Sequence, residues 1–488
     1  MIPSNKSMLL CIRRTLTELI PGIESKEQQA ALASIDLHLN ALLLRTDPTF
    51  YRDYYQRGRL LIEDGITLGL ADRHVLDVLP PSPLDADIDQ STEALGDLAD
   101  QVTEVLADIS SAAGAPRGGE LLDYLNRISD WEISLAQHRL VSAGGQDTQE
   151  SEAKLTREAL QGYLRSKFPE AGDVKVTHLE RLYGGFSKAT SLFSTDRPIM
   201  DCQDFAIRAE QQANILVLDA GTVDVEFPVV SIAFEHGALV PEPLWLELDT
   251  AQLGMRFIVF RRALGENFGD ATGAGAKLDK ATLKSLVKEL VAIHEIKPDA
   301  QDERVQNSHL AKWTAFDSLQ ANTLAYVEYW KKLYETAPHS PSALIRRGFD
   351  WASANMPDCS GDEVTFLHGD YGLHNLLIHD GKVSAVLDWE NSRVGDRAEE
   401  LSWFFHCTSA SASTDELLSL YCEAGGKPVS QERLRFYDVT RCIMMLIVCN
   451  VALAKLHQMG NNISLAVIGI QMCETFASKL RALIGEGS

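Results

Sequence analysis

The chain has 488 residues, too many for one ordinary hydrophobic core, so two or three domains are expected. Its hydrophobic content of 45% and charged content of 23% are those of a soluble globular protein. A formal charge of −24, from 45 basic and 69 acidic residues, argues against nucleic acid and against an anionic membrane surface as partners, because both are held by clustered Lys and Arg. The eight cysteines include no CxxC pair, which disfavours a zinc site and fits a reducing, cytoplasmic setting. The N-terminal stretch has too short an apolar run for a signal peptide. The longest apolar run, Cys442 to Ala454, is 13 residues, short for a bilayer and suited to a core helix.

The first 150 residues read as helical. "STEALGDLADQVTEVLADI" sets Leu95, Leu98, Val102, Val105 and Ile109 on one face, with Ser91 placed to cap it. This segment holds 12 basic and 24 acidic residues, half of the net charge, and no catalytic constellation. We expect a helical accessory domain over 1–140, suited to packing, homodimerisation or contact with a protein partner. The polar, aperiodic stretch 141–153 reads as a linker. From about 173 to 262 short β-like runs follow: "VKVTHLERLYGG", "TSLFS", "FAIRAE" and "MRFIVFRR". Beyond about 276 helical periodicity dominates, interrupted by one β-like passage.

That passage, "HGDYGLHNLLIHDGKVSAVLDWE", runs from His368 to Glu390. Two apolar runs flank Asp380-Gly381, a pair that favours a type I′ hairpin turn. With those two residues as the loop, Asn375 lies opposite Val386, and Asp388 two residues further along the same strand. Asn375 and Asp388 then share a face near the open end of the hairpin, where one divalent ion could bridge them. An amide oxygen and a carboxylate are hard ligands of the kind Mg²⁺ uses beside substrate phosphates. Asp370 precedes Asn375 by five residues. His368, Asp370 and Asn375 thus have the H-x-D-x-x-x-x-N spacing of a kinase-type catalytic loop, in which Asp accepts a hydroxyl proton.

On these residues, "FLHGDYGLHNLLIHDGKVSAVLDWENSRVGD" resembles the signature of the aminoglycoside phosphotransferase and choline kinase-like superfamily. "LDWE" followed by "GD" is most similar to the branch related to the kinase domains of acyl-CoA dehydrogenase family members 10 and 11. The resemblance covers about 173 to 480 and leaves the first 150 residues outside it. It implies an α+β, protein kinase-like two-lobed fold, with a small β-rich nucleotide lobe over 154–262 and a larger helical lobe over 263–488. It implies Asp370 as catalytic base with His368 bracing its loop, and Asn375 and Asp388 as metal ligands. ATP or GTP and Mg²⁺ are the expected co-substrate and cofactor.

Upstream, "RLYGGFSKATSLFST" fits a strand, a Gly-rich turn and a second strand. Gly184 and Gly185 would let backbone N–H groups approach phosphates, and Ser187 adds a donor. Arg208 in "FAIRAE" stands where most kinases have Lys, and it can still grip phosphate with two N–H groups. The resemblance pairs it with Glu226, with Glu235 a competitor, and sets Phe260 and Arg261 beside the adenine. His294 reads as structural, and Asp396 as a brace for the metal loop. The expected activity is transfer of a phosphoryl group to a small-molecule hydroxyl, with a hydroxyacyl-CoA or related intermediate as candidate acceptor. An antibiotic kinase of the aminoglycoside type and a catalytically silent kinase-like binding module are the alternatives. Only the compact "ENSRVGDRAEEL" follows Asp388, which disfavours a protein kinase.

Overall fold

The structure is a computed structural model that describes residues 48–68, 124, 127–128, 155–182, 188–210, 221–269, 277–336, 342–459 and 472–485. The helical face from Leu95 to Ile109, the linker 141–153 and the turn bearing Gly184, Gly185 and Ser187 lie outside the described residues. By contact the chain divides into two compact units. One comprises Met1–Thr148, Thr336–Ser353 and Cys442–Ser488; the other comprises Gln149–Glu335 and Ala354–Arg441.

In the first unit, helix α1 (Pro48–Thr67) opens on a proline, at the position where a missing N–H costs nothing. The buried Tyr124 hydroxyl donates to the Leu61 carbonyl at 3.0 Å, beside the buried Ile62 and Ile128. Cys442, Ile443, Leu446, Ile447 and Cys449 are buried along the helix Gln431–Met459. No helix among the described residues is long and apolar enough to cross a membrane.

The second unit is mixed α and β. After helix α2 (Arg157–Lys167) come strands β1 (Val176–Leu182), β2 (Lys188–Ile199), β3 (Cys202–Glu210), β4 (Pro243–Glu247) and β5 (Phe257–Arg261). They form one antiparallel sheet in the order β1-β2-β3-β5-β4. Side chains alternate across a strand, so the sheet has two unlike faces. Phe193, Phe205, Ile207 and Val259 pack in a core with Leu160, Tyr163 and Leu164 of α2. Phe193 stacks on Phe205 with centroids 4.6 Å apart. The other parity, Thr190, Leu192, Ala206 and Arg208, faces a cavity of about 210 Å³.

Helix α3 (Val223–Glu235) follows β3. The Glu210 carboxylate accepts from the Val223 N–H at 2.9 Å, and Asp224 and Glu226 in the first turn complement the positive end of the helix. Helix α4 (Lys280–His294) is capped by Asp279, whose carboxylate accepts from the Thr282 N–H at 2.8 Å. Two short antiparallel pairs follow: β6 (Thr365–Leu367) with β9 (Arg393–Gly395), and β7 (Leu376–His379) with β8 (Lys382–Val386). Helix α5 (Arg397–Thr408) comes next, N-capped by Asp396.

The hairpin turn is of the expected type, since Asp380 (φ 49°) and Gly381 (φ 70°) both take positive φ. The register differs from expectation at one point. His379 pairs with Lys382 and Ile378 with Val383, but a bulge at Ser384 shifts the ladder, so Leu376 rather than Asn375 lies opposite Val386. The Ser384 hydroxyl donates to the Leu377 carbonyl at 3.1 Å, which anchors the extra residue. Because Phe205 is fully buried at the centre of the sheet core, Phe205→Ala should cost about 3–5 kcal/mol. Urea titration of the full chain would read this as a lower midpoint, and a cost under about 1 kcal/mol would contradict the packing described.

Candidate functional site

Three backbone features aim the polar groups. Gly369 follows His368 with φ 84°, and a Cβ there would stand 2.0 Å from the Asn391 carbonyl oxygen, so only glycine fits. Asn375 ends a short 3-10 turn (Leu373–Asn375) that leads into β7. Asp388 lies two residues past β8, in the left-handed region at φ 66°. An aspartate held there is strained and needs its surroundings to fix it. Trp389 supplies part of that hold. It is buried, and its indole N–H donates to the Val386 carbonyl at 2.9 Å. The Leu387 N–H donates to the Asn375 carbonyl at 2.8 Å, which puts Asn375 and Asp388 at neighbouring positions across the ladder. The bulge moved the pairing, and the left-handed turn at Asp388 replaced strand alternation as the aiming device.

Asp370 accepts on one oxygen, Oδ2, from Asn375 Nδ2 at 2.9 Å and from His374 Nε2 at 3.1 Å. Asn375 Nδ2 also donates to the Asp370 carbonyl at 3.1 Å, so the amide nitrogen is committed and its oxygen is the end left to accept. Burial would raise the Asp370 carboxyl, but the adjacent His374 outweighs it and holds it well below the usual range. The same pairing raises His374 against the opposing effect of its burial.

The loop is braced from beneath. Glu400, fully buried on α5, accepts from the backbone N–H groups of His368 (3.0 Å) and Gly369 (2.6 Å) and from His294 Nε2 (3.1 Å). His368 is a brace by geometry too. One ring nitrogen meets the Leu387 carbonyl at 2.8 Å, and the other accepts from the Asp370 N–H at 3.2 Å. His294 also contacts the Tyr421 hydroxyl at 2.7 Å, a structural placement. Asp396 caps α5 and pairs with the buried Arg433 rather than reaching the loop itself.

The nucleotide-side expectations fall as follows. Arg208, Glu226, Phe260 and Arg261 all line the cavity, together with Asp388. Arg208 Nε lies 3.2 Å from a Glu226 oxygen, and its terminal nitrogen is paired with Asp388. Glu235 points elsewhere, to Arg304 at 2.6 Å. Arg261 pairs with Glu242 at 2.6 Å. Two members were not foreseen from sequence. Lys188, at the first position of β2, is fully buried, 3.1 Å from Glu226 and ion-paired with Glu390. Burial opposes the charge on Lys188, but Glu226 and Glu390 raise it above the usual lysine range. Burial likewise opposes the charge on Glu226, but Arg208 and Lys188 hold it down to about 2. The signal was present in part: Lys188 shares the parity of Arg208 across paired strands.

Residues 219–437 match the model of the phosphotransferase enzyme family. The matched span includes Glu226, Asp370, Asn375 and Asp388 and leaves Lys188 and Arg208 outside it. Acyl-CoA dehydrogenase family member 11 of Pongo abelii is 25% identical over 284 residues, covering 54% of this chain and 35% of that protein. Acyl-CoA dehydrogenase family member 10 of Mus musculus is 26% identical over 201 residues, covering 40% and 17%. The chain thus spans about a third or less of the length of these relatives. Among solved structures, a spectinomycin phosphotransferase in complex with ADP and spectinomycin aligns with TM-score 0.47 and 13% identity, over 68% of this chain and 99% of that one.

Glu400→Ala removes the acceptor of two backbone N–H groups and leaves His294 without its carboxylate. It should cost about 3–5 kcal/mol and loosen the loop, visible as faster amide exchange at His368 and Gly369. Unchanged exchange at those two amides would refute the bracing role.

Proposed function

We propose that this chain is a Mg²⁺-dependent phosphotransferase that moves the γ-phosphoryl group of ATP, or of GTP, to a hydroxyl of a small molecule. The observation that carries the reading is the convergence of Asp370, Asn375 and Asp388 around one hairpin, with the Arg208–Glu226 pair against Asp388. Asp370 stays ionised at neutral pH, and its Oδ2 is anchored by two donors. That leaves Oδ1 to orient an acceptor hydroxyl and take its proton.

The donor chemistry suits a hard cation. Asn375 would hold Mg²⁺ through its amide oxygen and Asp388 through its carboxylate, with nucleotide phosphates completing the shell. When bound, the ion neutralises charge on the transferring phosphoryl group. Arg208, steadied by Glu226, would meet the remaining phosphate oxygens, and the apolar part of the cavity near Phe260 would take the base. Thr190, Leu192 and Ala206, on the sheet face opposite the α2 core, form the roof of that site.

For the acceptor we favour a hydroxylated acyl compound such as a hydroxyacyl-CoA, since the similar proteins are named as acyl-CoA dehydrogenase family members. Residues 1–140 would act as an accessory domain, through pairing or partner contact. The test is an incubation of the full chain with Mg²⁺ and ATP or GTP in a metabolite extract supplemented with hydroxyacyl-CoAs. Mass spectrometry then seeks any species that gains one phosphoryl group. A product on an antibiotic hydroxyl instead would reassign the acceptor, and no nucleotide binding at all would sink the reading. Asp370→Asn should lower turnover by about 10²–10⁴ with nucleotide affinity little changed. Asp388→Ala should abolish the Mg²⁺-dependent part of nucleotide binding in calorimetry, and its persistence would remove Asp388 from the metal role.

A further inference from the structure

Lys188 has no role in the reaction as described above, yet it is among the most completely enclosed side chains of the sheet. It is the first residue of β2. Thr190 pairs directly with Arg208 across β2 and β3, so Lys188 is the diagonal neighbour of Arg208 on the cavity-facing side. Its side chain is 0% exposed, with Nζ between Glu226 and Glu390. Arg208 is 16% exposed and reaches both glutamates as well, Glu226 at 3.2 Å and Glu390 at 3.8 Å, while its terminal nitrogen is paired with Asp388. Two cations therefore share three carboxylates.

The two cations are not equivalent. The Lys188 ammonium is walled in by protein, whereas Arg208 lines the cavity. Without Lys188, Glu226 and Glu390 would lose the ammonium they share, and weakening the compensation of a buried charge is costly. Arg208 would then be held from behind by Glu226 and Glu390. With Lys188 present those glutamates are already compensated, and the terminal nitrogen of Arg208 has Asp388 as its near partner, with Glu390 further off at 3.8 Å.

We propose that Lys188 is a positioning residue for the nucleotide. It is the fixed counter-ion of Glu226 and Glu390, and it lets Arg208 leave Asp388 for a nucleotide phosphate. Asp388 is thereby freed for its metal. The proposal rests on the phosphotransferase reading. It goes beyond it by dividing between Lys188 and Arg208 the work that a single strand cation would do.

The experiment is calorimetric titration of the full chain with Mg²⁺·ATP. The variants are Lys188→Met, Glu390→Gln and the double variant Lys188→Met/Glu390→Gln, each with a thermal melt. Lys188→Met alone removes the buried ammonium that pairs with Glu390 and can fail to fold. The double variant removes both charges of that pair and serves as the folded form. We expect the double variant to bind about 10- to 100-fold more weakly than Glu390→Gln, the range for one charge-assisted contact, although its melting temperature recovers. Affinity equal to that of Glu390→Gln would mean that Lys188 only offsets Glu390, and it overturns the proposal while leaving the phosphotransferase reading intact. Absence of Mg²⁺·ATP binding by the wild-type chain overturns both.

Discussion

Glu226 lies between Lys188 and Arg208, and the rest of the candidate site is built outward from that contact. Each of these ions has left water at a cost of several kcal/mol, recovered only because opposite charges meet at hydrogen-bonding distance. The arrangement ties three separate parts of the chain. Glu226 comes from the first turn of α3, the cations from β2 and β3, and Asp388 and Glu390 from the turn after β8. Sheet, helix and loop are thus registered to one another by charge, whereas the opposite face of the sheet is held by apolar packing against α2. The two faces divide the labour: one supplies stability without chemistry, the other keeps charged groups where water cannot screen them.

A second buried carboxylate, Glu400, does for the loop bearing Asp370 what Glu226 does for the sheet. Backbone N–H groups in a tight loop have no ladder to join, and leaving them unpaired when buried is expensive. Glu400 satisfies two of them from the helix that follows the loop in sequence. The stretch "GDRAEEL" is therefore the footing of the loop that bears Asp370.

Much of this was legible in the residues. Asp380-Gly381 dictates its turn through the positive φ that both residues adopt, and the strands "FAIRAE" and "FIVFR" declare themselves by β-branched and aromatic content. The spacing of His368, Asp370 and Asn375 was enough to place them on one loop. The bulge at Ser384 was not legible, because a single residue slipped from a ladder leaves the apolar pattern on either side intact. Lys188 was hidden for another reason. Its partner Glu390 is 202 residues away, and nothing local marks a lysine as buried until both ends of that pair are in view. Short-range geometry can be read along a chain; compensation between distant charges has to be seen in space.

The absence of a side chain at Gly369 has a further consequence. With the Asn391 carbonyl lying where a Cβ would be, the loop bearing Asp370 and the turn bearing Asp388 rest on each other backbone to backbone. Two main chains in contact have no rotamers to absorb a change, so the spacing between the proposed base and the proposed metal ligand behaves as a gauge block. On the proposed chemistry, that spacing is the dimension in which an in-line transfer tolerates least error. A lineage of such enzymes could therefore exchange one acceptor for another by remodelling the surrounding helices and never recalibrate the distance over which the phosphoryl group travels.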